Sequence, residues 1–198
     1  MEEMKILKLS ARNHTKVVAQ AVAALKKGKV LACPTDTIYG LIADAHNARA
    51  VQKIFKIKKR TSDKPLGIFV KDLAMAKKYA AISESQRAFL RKSWPGKVTA
   101  VLKRKGNFLQ GLGTKETIGV RVPKHRFLQQ VMSLLGGPLA QTSVNISGQP
   151  PLQTAPEIIS AFPKNKHQPD LVIDGGVLDS FPSTVVDLTG KVKKVLRK

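Results

Sequence analysis

The feature of this sequence that most constrains its fold is the alternation of short apolar runs with segments of helical periodicity. Short apolar runs bounded by turn residues predict buried strands, and the amphipathic segments between them predict helices. We therefore predict an α/β domain with a mixed sheet and flanking helices. The predicted strands are KVLAC (29–33), LGIFV (66–70), VTAVLK (98–103), IGVRV (118–122), PLAQTS (138–143), LVIDG (171–175), STVVDL (183–188) and KVLR (194–197).

Local end signals mark the predicted helices. Apolar residues between Val17 and Leu25 share one helical face, and Gly28 follows as a C-terminal stop. Ser83 and Gln86 form the capping-box pattern of a helix start. Further helices are predicted after the capping residues Asn47 and Asp72, and over the amphipathic segment 127–135.

The chain has 198 residues, enough for one hydrophobic core, and we predict a single domain over residues 1–198. No apolar run approaches the roughly 18 residues of a membrane helix, and the first residues lack a secretory signal pattern. The single cysteine excludes an intrachain disulfide, and the four histidines show no metal-ligand spacing. We therefore expect a cytoplasmic protein with no membrane association and no built-in metal site.

Positive charge is concentrated in the middle of the chain. The formal net charge is +22, and residues 51–150 hold 20 Lys and Arg against 4 Asp and Glu, a net of +16. A field of that size favours a polyanionic partner such as RNA, or a polyphosphate substrate, although charge that serves solubility alone is an alternative. Only 5% of residues are aromatic, which argues against a base-stacking platform.

Polar side chains follow the first predicted buried strand directly. Thr35, Asp36, Thr37 and Tyr39 stand there with Gly40. Ligands collect at strand ends in open α/β sheets, so these residues predict a binding site. A turn in which Thr and Asp satisfy local backbone groups is the alternative.

A cluster of cations ends the helix that begins after Asn47. Five Lys and Arg lie among residues 53–60 without an acidic residue. Cations in the last helical turn complement the helix dipole, but this number exceeds what that role needs. As alternate residues of a non-helical stretch, Lys58 and Arg60 could both point at one anion.

Small polar residues follow the predicted strand PLAQTS in the same way. Ser143 and Asn145 lie two residues apart, on one face of an extended chain. Their hydroxyl and amide groups could bind a phosphate or a carboxylate. The alternative is a Ser- and Asn-rich turn that ends at Gly148.

The motifs belong to six segments that occur in this order: PTDTIYGL, KxRxxxKPL, WPGKVT, IGVRVP, TSVNISG and PSTVVDLTG. Together they resemble the YrdC/TsaC family of threonylcarbamoyl-AMP synthases, over almost the whole chain. The K-x-R and S-x-N marker set of that family stands here as Lys58, Arg60, Ser143 and Asn145. The resemblance implies the short, single-domain form of the family.

The resemblance implies a YrdC-like twisted mixed sheet around a positively charged central cavity. It implies that L-threonine, bicarbonate and ATP are condensed to L-threonylcarbamoyl-AMP and pyrophosphate. Downstream transferase proteins then place the threonylcarbamoyl group on the adenosine next to the anticodon of tRNA.

The resemblance also assigns roles to individual residues. Catalysis would involve the four marker residues Lys58, Arg60, Ser143 and Asn145. ATP would contact Lys58, Ser62, Thr117, Ser143 and Arg197, and L-threonine would contact Thr35, Arg121 and Ser183. The role of Arg197 is the least firmly based of these, because it stands next to the last residue of the sequence and chain ends tend to fray.

Three anionic reactants would share this site, so positioning and electrostatics would carry catalysis without a side-chain nucleophile. Lys58, Arg60 and Arg121 would offset the repulsion between them. Mg²⁺ would enter with ATP and be held by its phosphates. Asp36 and Asp187 are further carboxylate candidates, for which a structural role is the simpler interpretation.

Two other hypotheses compete with the synthase. The net charge of +16 in the middle region suits an RNA-binding module that assists RNA or ribosome maturation, and weak tRNA binding could coexist with catalysis. A paralogue with a different substrate is the third hypothesis, although such a protein is expected to lose part of the marker set.

Overall fold

The computed structural model describes residues 4–61, 64–106, 111–162 and 167–198. Within these ranges the chain forms ten strands and six helices. The strands are β1 (Lys5–Lys8), β2 (Leu31–Cys33), β3 (Gly40–Asp44), β4 (Gly67–Phe69), β5 (Val98–Lys103), β6 (Thr117–Arg121), β7 (Leu139–Ser143), β8 (Leu171–Asp174), β9 (Thr184–Asp187) and β10 (Lys194–Arg197). The helices are α1 (His14–Lys26), α2 (Ala48–Lys58), α3 (Leu73–Tyr79), α4 (Glu84–Ser93), α5 (Arg126–Leu135) and α6 (Ala155–Ala161).

All ten strands belong to one sheet, in the order β1-β8-β2-β3-β7-β4-β6-β5-β9-β10. Pairs such as β1–β8 and β5–β9 are parallel, whereas β3–β7 and β5–β6 are antiparallel. The predicted mixed α/β sheet with flanking helices is therefore confirmed. Neighbours in the sheet are often far apart in sequence, and β7 lies between β3 and β4 near its centre.

One face of the sheet is apolar along its whole central part. Ile68, Ala100 and Val120 point to this face, because successive side chains of a strand alternate between faces. They pack with apolar residues of α2, α3, α4 and α6, including Ile54 and Leu90. Burial of this kind is the main driving force for folding.

The opposite face is covered only in part. Helices α1 and α5 pack over Leu31, Ile42 and Phe69, with Leu25 and Leu128 in the interface. Where these helices end, the same face carries glycine and small polar residues instead of large apolar ones. We call this open region the cavity face.

The predicted helix starts are confirmed in detail. The Asn47 side chain accepts a hydrogen bond from the Ala50 amide at 3.0 Å, and Asp72 accepts one from the Met75 amide at 2.7 Å. Ser83 forms the predicted capping box with its partner three residues later. Each cap satisfies amide groups that lack a partner in the first helical turn.

Three elements were not predicted: β1, β3 and α6. Strand β1 is mostly exposed, so it lacks the apolar run on which the strand predictions depended. Strand β3 begins at Gly40, inside a segment that we interpreted only as polar residues at a strand end. Helix α6 carries a capping box of Thr154 and Glu157, a signal that the sequence contained.

None of the helices in the described ranges has both the length and the apolar character that crossing a membrane requires.

Candidate anion-binding cavity

A cavity of about 510 Å³ lies on the cavity face. Strand residues two positions apart point the same way, so several strands contribute every second residue to its floor. The register supports this arrangement, because Gly67 pairs with Gln141, and Gly119 pairs with Val101. The strand residues of the lining include Gly40, Gly67, Phe69, Thr99, Val101, Thr117, Gly119, Arg121, Gln141, Ser143, Val185 and Arg197.

Glycine leaves bare backbone at the centre of the floor. A Cβ atom at Gly67 would lie 3.0 Å from the carbonyl oxygen of Gly119 and 3.0 Å from Nε2 of the Gln141 side chain. A Cβ atom at Gly119 would find its nearest neighbour, a methyl group of Thr99, at 3.7 Å. A side chain at Gly67 would therefore be tightly packed, whereas Gly119 leaves room in the cavity for a ligand.

The turn between β2 and β3 places two hydroxyl groups at the cavity wall. The Thr35 hydroxyl donates to the carbonyl of Ile38 at 2.7 Å and accepts from the Thr37 amide at 2.9 Å. Both threonines are buried and line the cavity. The interpretation as a turn is confirmed, and the same hydrogen bonds hold the hydroxyl groups in place at the cavity.

Arg121, at the end of β6, is a buried cation of the cavity lining. Its guanidinium forms an ion pair with Asp36 at 2.6 Å, and it donates to Thr37 Oγ1 at 3.2 Å and to the Gly96 carbonyl at 2.9 Å. It also lies over the Phe69 ring. Burial lowers the pKa of Arg121, and Asp36 opposes that shift. Asp36 thus has a structural role, as the sequence suggested.

Lys58 lies behind the cavity wall and is not among the lining residues. Its ammonium donates to the carbonyl of Ser143 at 2.8 Å, and to the carbonyl and the side-chain oxygen of Asn145 at 3.1 and 2.6 Å. Burial, and secondly the charge of Arg60, lower its pKa to about 7. Lys58 therefore ties α2 to the segment after β7.

The premise that Lys58 and Arg60 share a non-helical stretch is wrong. Lys58 is the last residue of α2, and Lys59 adopts a left-handed conformation with φ 50°. This turn reverses the chain, so Arg60 lines the cavity while Lys58 points into the protein. The Arg60 guanidinium donates to the carbonyls of Lys64 and Pro65 at 2.6 and 3.1 Å.

Ser143 and Asn145 lie together at the cavity wall. The Ser143 hydroxyl donates to the side-chain oxygen of Asn145 at 2.6 Å, and the Asn145 amide nitrogen donates to the Gln149 carbonyl at 2.6 Å. Asn145 is buried, and its side-chain oxygen accepts from both Ser143 and Lys58. Three of the four marker residues therefore belong to one hydrogen-bond network.

The far wall comes from the last two strands. The Ser183 and Thr99 hydroxyls lie 2.8 Å apart, and Ser183 is buried. Arg197 donates to the Ser183 carbonyl at 2.9 and 3.2 Å. Arg197 lies in β10, where it pairs with Val185, so this end of the chain is held in the sheet.

The remaining predicted residues have different positions. Thr117 lines the cavity, and its hydroxyl lies 3.0 Å from that of Thr114. Asp187 lies outside the lining, where its carboxylate accepts from the amide and hydroxyl of Thr189. Ser62 lies outside the described residues.

Several lining residues were missed, among them Thr99 and Gln141. The sequence contained a signal for these two, because each is a polar residue at an alternate position of an otherwise apolar strand. That pattern shows which face is polar, but it does not show that the polar faces of separate strands meet.

Arginine dominates the charge of the cavity. The described lining residues include three arginines and no Asp or Glu. The described part of the chain has no cluster of three His, Cys, Asp or Glu side chains that could hold a metal ion. The arrangement is suited to anions held by guanidinium and hydroxyl groups.

A mixed sheet with flanking helices and an arginine-lined cavity on its open face defines this chain as an α/β protein. The chain belongs to the Sua5/YciO/YrdC family, whose model, described as "Telomere recombination", matches residues 23–198. This match confirms the family resemblance of the six ordered motifs.

Two relatives similar in sequence to this chain bear the name threonylcarbamoyl-AMP synthase. The chain is 33% identical to a threonylcarbamoyl-AMP synthase of Chromohalobacter salexigens, covering 86% of this chain and 92% of the relative. It is 35% identical to the threonylcarbamoyl-AMP synthase of Mus musculus, covering 88% of this chain but 64% of the relative.

Two solved structures show the same fold. P. abyssi Sua5 complexed with L-threonine matches with a TM-score of 0.85 at 30% identity, covering 99% of this chain and 57% of that chain. E. coli YciO matches with a TM-score of 0.83 at 26% identity, covering 100% of this chain and 96% of that chain.

Proposed function

We propose that this chain is an L-threonylcarbamoyladenylate synthase. It condenses L-threonine, bicarbonate and ATP to L-threonylcarbamoyl-AMP and pyrophosphate. The observation that carries the proposal is the gathering of eight of the predicted site residues around one cavity. These residues are Thr35, Arg60, Thr117, Arg121, Ser143, Asn145, Ser183 and Arg197.

The chemistry joins three anions or anion precursors. The threonine amine combines with bicarbonate to form a carbamate and water. A carbamate oxygen then attacks the α-phosphorus of ATP, the bond from that phosphorus to the bridging oxygen breaks, and pyrophosphate leaves with the electron pair. Cations fixed around this reaction stabilise charge on the transferring phosphorus and on the leaving group.

The cavity offers two groups of contacts for the two larger substrates. Thr35, Arg121 and Ser183 would bind L-threonine, since the Arg121 guanidinium and two buried hydroxyl-bearing side chains line the same cavity. Arg60 and Arg197 would face the phosphates of ATP, with Thr117 on the nucleotide side.

The marker residues would act as one unit at the carbamate and phosphate region. Ser143 lines the wall, and Lys58 holds its carbonyl and the Asn145 side chain from behind. Lys58 would serve as a positioning residue in this state. The predicted contact between Lys58 and ATP would require a rearrangement of its three hydrogen bonds.

Mg²⁺ would be carried into the cavity by the phosphates of ATP. Phosphate oxygens are its preferred ligands when the protein supplies few carboxylates, and the described lining has none. The metal would stabilise negative charge on the transferring phosphate.

The remaining parts of the proposal concern cellular context. The chain would act as one domain in the cytoplasm and pass its product to a transferase that modifies tRNA next to the anticodon. The labile mixed anhydride of carbamate and phosphate must be consumed by a carbamoyl-transferring reaction.

The test is pyrophosphate release by the purified protein with ATP, ¹⁴C-bicarbonate and L-threonine. The synthase requires that release depend on both threonine and bicarbonate, and that the label appear in an AMP-linked product. Threonine-independent release of pyrophosphate would contradict the proposal.

The net charge of +22 supports RNA binding as a second candidate function. Titration of a tRNA in increasing salt tests it, because phosphate contacts release counterions and affinity falls steeply with salt. A lack of tRNA affinity at moderate salt would remove this candidate and leave the synthase proposal intact.

A further inference from the structure

Two arginines of the cavity are held in different electrostatic surroundings. Arg197 donates to the carbonyl of Ser183, a neutral acceptor, and within the described ranges it has no ion pair. Arg121 instead pairs with the carboxylate of Asp36 at 2.6 Å. The side chains of this pair are 4% and 9% exposed, so water screens their interaction only weakly.

The Asp36 carboxylate is fixed at both oxygens. One oxygen accepts from Arg121, and the other accepts from the backbone amide of Lys124 at 2.9 Å. Arg121 is fixed as well, because Thr37 and the Gly96 carbonyl accept two more of its N–H groups. Three of the five N–H groups of Arg121 are thus used by the protein, which leaves two for a ligand in the cavity.

The pair has a net charge of zero, and this limits which anion it binds well. A carboxylate is planar and singly charged, so it matches two guanidinium N–H groups and adds one negative charge to the buried site. A phosphate or pyrophosphate adds more negative charge next to Asp36, where the low dielectric makes repulsion strong. Arg197 keeps its full positive charge for such a polyanion.

We infer that Asp36 is a specificity-determining residue. It neutralises and orients Arg121, so that this guanidinium takes the carboxylate of the amino acid in preference to phosphate. The inference rests on the proposed function, and it explains how one cavity keeps the phosphates of ATP out of the threonine subsite.

Asp36→Asn tests the inference, because it removes the charge and retains the size of the side chain. In wild-type protein, inorganic phosphate and pyrophosphate should not compete with L-threonine. In the variant, phosphate and pyrophosphate should both compete with threonine. Their inhibition constants should lie about tenfold or more below any value that the wild type shows, and threonine affinity should fall. Calorimetric titration with phosphate and with threonine measures both affinities in the absence of turnover.

Asp187→Asn is the matched control. The Asp187 carboxylate accepts hydrogen bonds from the amide and the hydroxyl of Thr189 and lies outside the cavity lining. This variant should bind threonine and phosphate as the wild type does. Thr37→Val separates orientation from charge, because it removes one tether of Arg121 and keeps Asp36. It should weaken threonine binding without a gain in phosphate binding.

A double variant shows whether Asp36 acts through Arg121. In an Arg121→Ala background, Asp36→Asn should produce no gain in phosphate affinity, since the guanidinium is absent. A gain of the same size in both backgrounds would overturn the inference, as would competition between phosphate and threonine in the wild type. The competition experiment on the wild type can overturn the inference even if Asp36→Asn does not fold.

Failure of the proposed function has a different signature. Pyrophosphate release that does not depend on threonine would overturn the synthase proposal. The phosphate titrations of wild type and Asp36→Asn would still show whether Asp36 sets the anion preference of Arg121.

Discussion

At the scale of single residues, Lys58 shows how burial changes the role of a charged group. Its ammonium has three oxygen acceptors and almost no contact with solvent. Removing one partner of such a buried network leaves polar groups unsatisfied. Lys58 thus supports the cavity wall that carries Ser143.

Alanine substitution should separate Lys58 from Arg60. Lys58→Ala is expected to lower the free energy of unfolding by about 2–4 kcal/mol, because it strips buried oxygens of their donor. Arg60→Ala should lower it by less than about 1 kcal/mol, because Arg60 lies on a partly exposed loop. Urea unfolding measures both effects, and both variants should lose pyrophosphate release. Equal stability of the two variants would contradict the buried position of Lys58.

The low pKa of Lys58 also predicts a pH dependence of stability. The folded-state pKa is about 7, below the ordinary 10.5, so the unfolded chain binds one more proton between these values. Stability should therefore rise with pH in this window, by up to about 1.4 kcal/mol per pH unit, and below pH 7 Lys58 should add no pH dependence to it. Denaturant unfolding of wild type and Lys58→Met at pH 6.5, 8 and 9.5 measures the difference. A constant difference would contradict the low pKa.

Sequence reasoning found many of the cavity residues, missed others such as Thr99 and Gln141, and was wrong about the orientation of Lys58. The types Lys58, Arg60, Ser143 and Asn145 were sufficient to predict an anion site. Their orientation depended on where α2 ends, and a helix end one residue later reverses the direction of a side chain. The left-handed conformation of Lys59 is the cause, and no local pattern at that lysine predicts it.

At the scale of elements, caps and apolar runs predicted most helices and strands. The missed elements β1 and β3 each lacked one of the usual signals. Strand β1 is stabilised by parallel pairing with β8, a partner more than 160 residues away in the sequence. Such pairing cannot be read from local periodicity, because the hydrogen bonds that define the strand come from a distant segment.

Strand β6 offers a test of the cavity floor. Thr117, Gly119 and Arg121 point into the cavity, and Gly119→Ala would add a methyl group with no protein atom closer than 3.7 Å. We expect this variant to fold with unchanged stability and to lose roughly tenfold or more in kcat/KM, since the methyl group takes up ligand space. Thermal unfolding and steady-state kinetics measure the two effects.

Two further glycines serve as controls for that substitution. Gly67→Ala should be destabilised by about 1–3 kcal/mol, because its Cβ atom would meet the Gly119 carbonyl at 3.0 Å. Gly190→Ala has its nearest atom at 3.9 Å and lies outside the cavity lining, so it should keep both stability and activity. Full activity of Gly119→Ala would show that substrates do not reach the floor.

At the scale of the whole molecule, the cavity depends on the order of strands in the sheet. The lining comes from segments spread between residues 35 and 197, which the order β3-β7-β4-β6-β5-β9-β10 brings side by side. Local patterns identify each polar strand face, but the strand order results from the packing of the complete sheet. For this reason the separate motifs could be assigned to one site only through their resemblance to a family.

The total charge of +22 leads to the last prediction, because the cavity accounts for only a few of the cations. Arg121 is buried and weakly screened, whereas surface lysines are screened within about 8–10 Å at ordinary salt. Raising NaCl from 50 to 200 mM should therefore change threonine affinity by less than about threefold. Affinity for tRNA, if surface charge binds it, should fall steeply over the same range.

The salt dependences of threonine affinity and of tRNA affinity together show which cations bind which ligand. A tRNA affinity that falls with salt while threonine affinity and Asp36→Asn selectivity stay constant would assign the lysines to nucleic acid and the arginines to the substrates. If threonine binding fell as steeply as tRNA binding, the substrate site would depend on exposed charge. That result would contradict the buried Asp36–Arg121 pair as the basis of threonine recognition, because a pair shielded from ions responds little to salt.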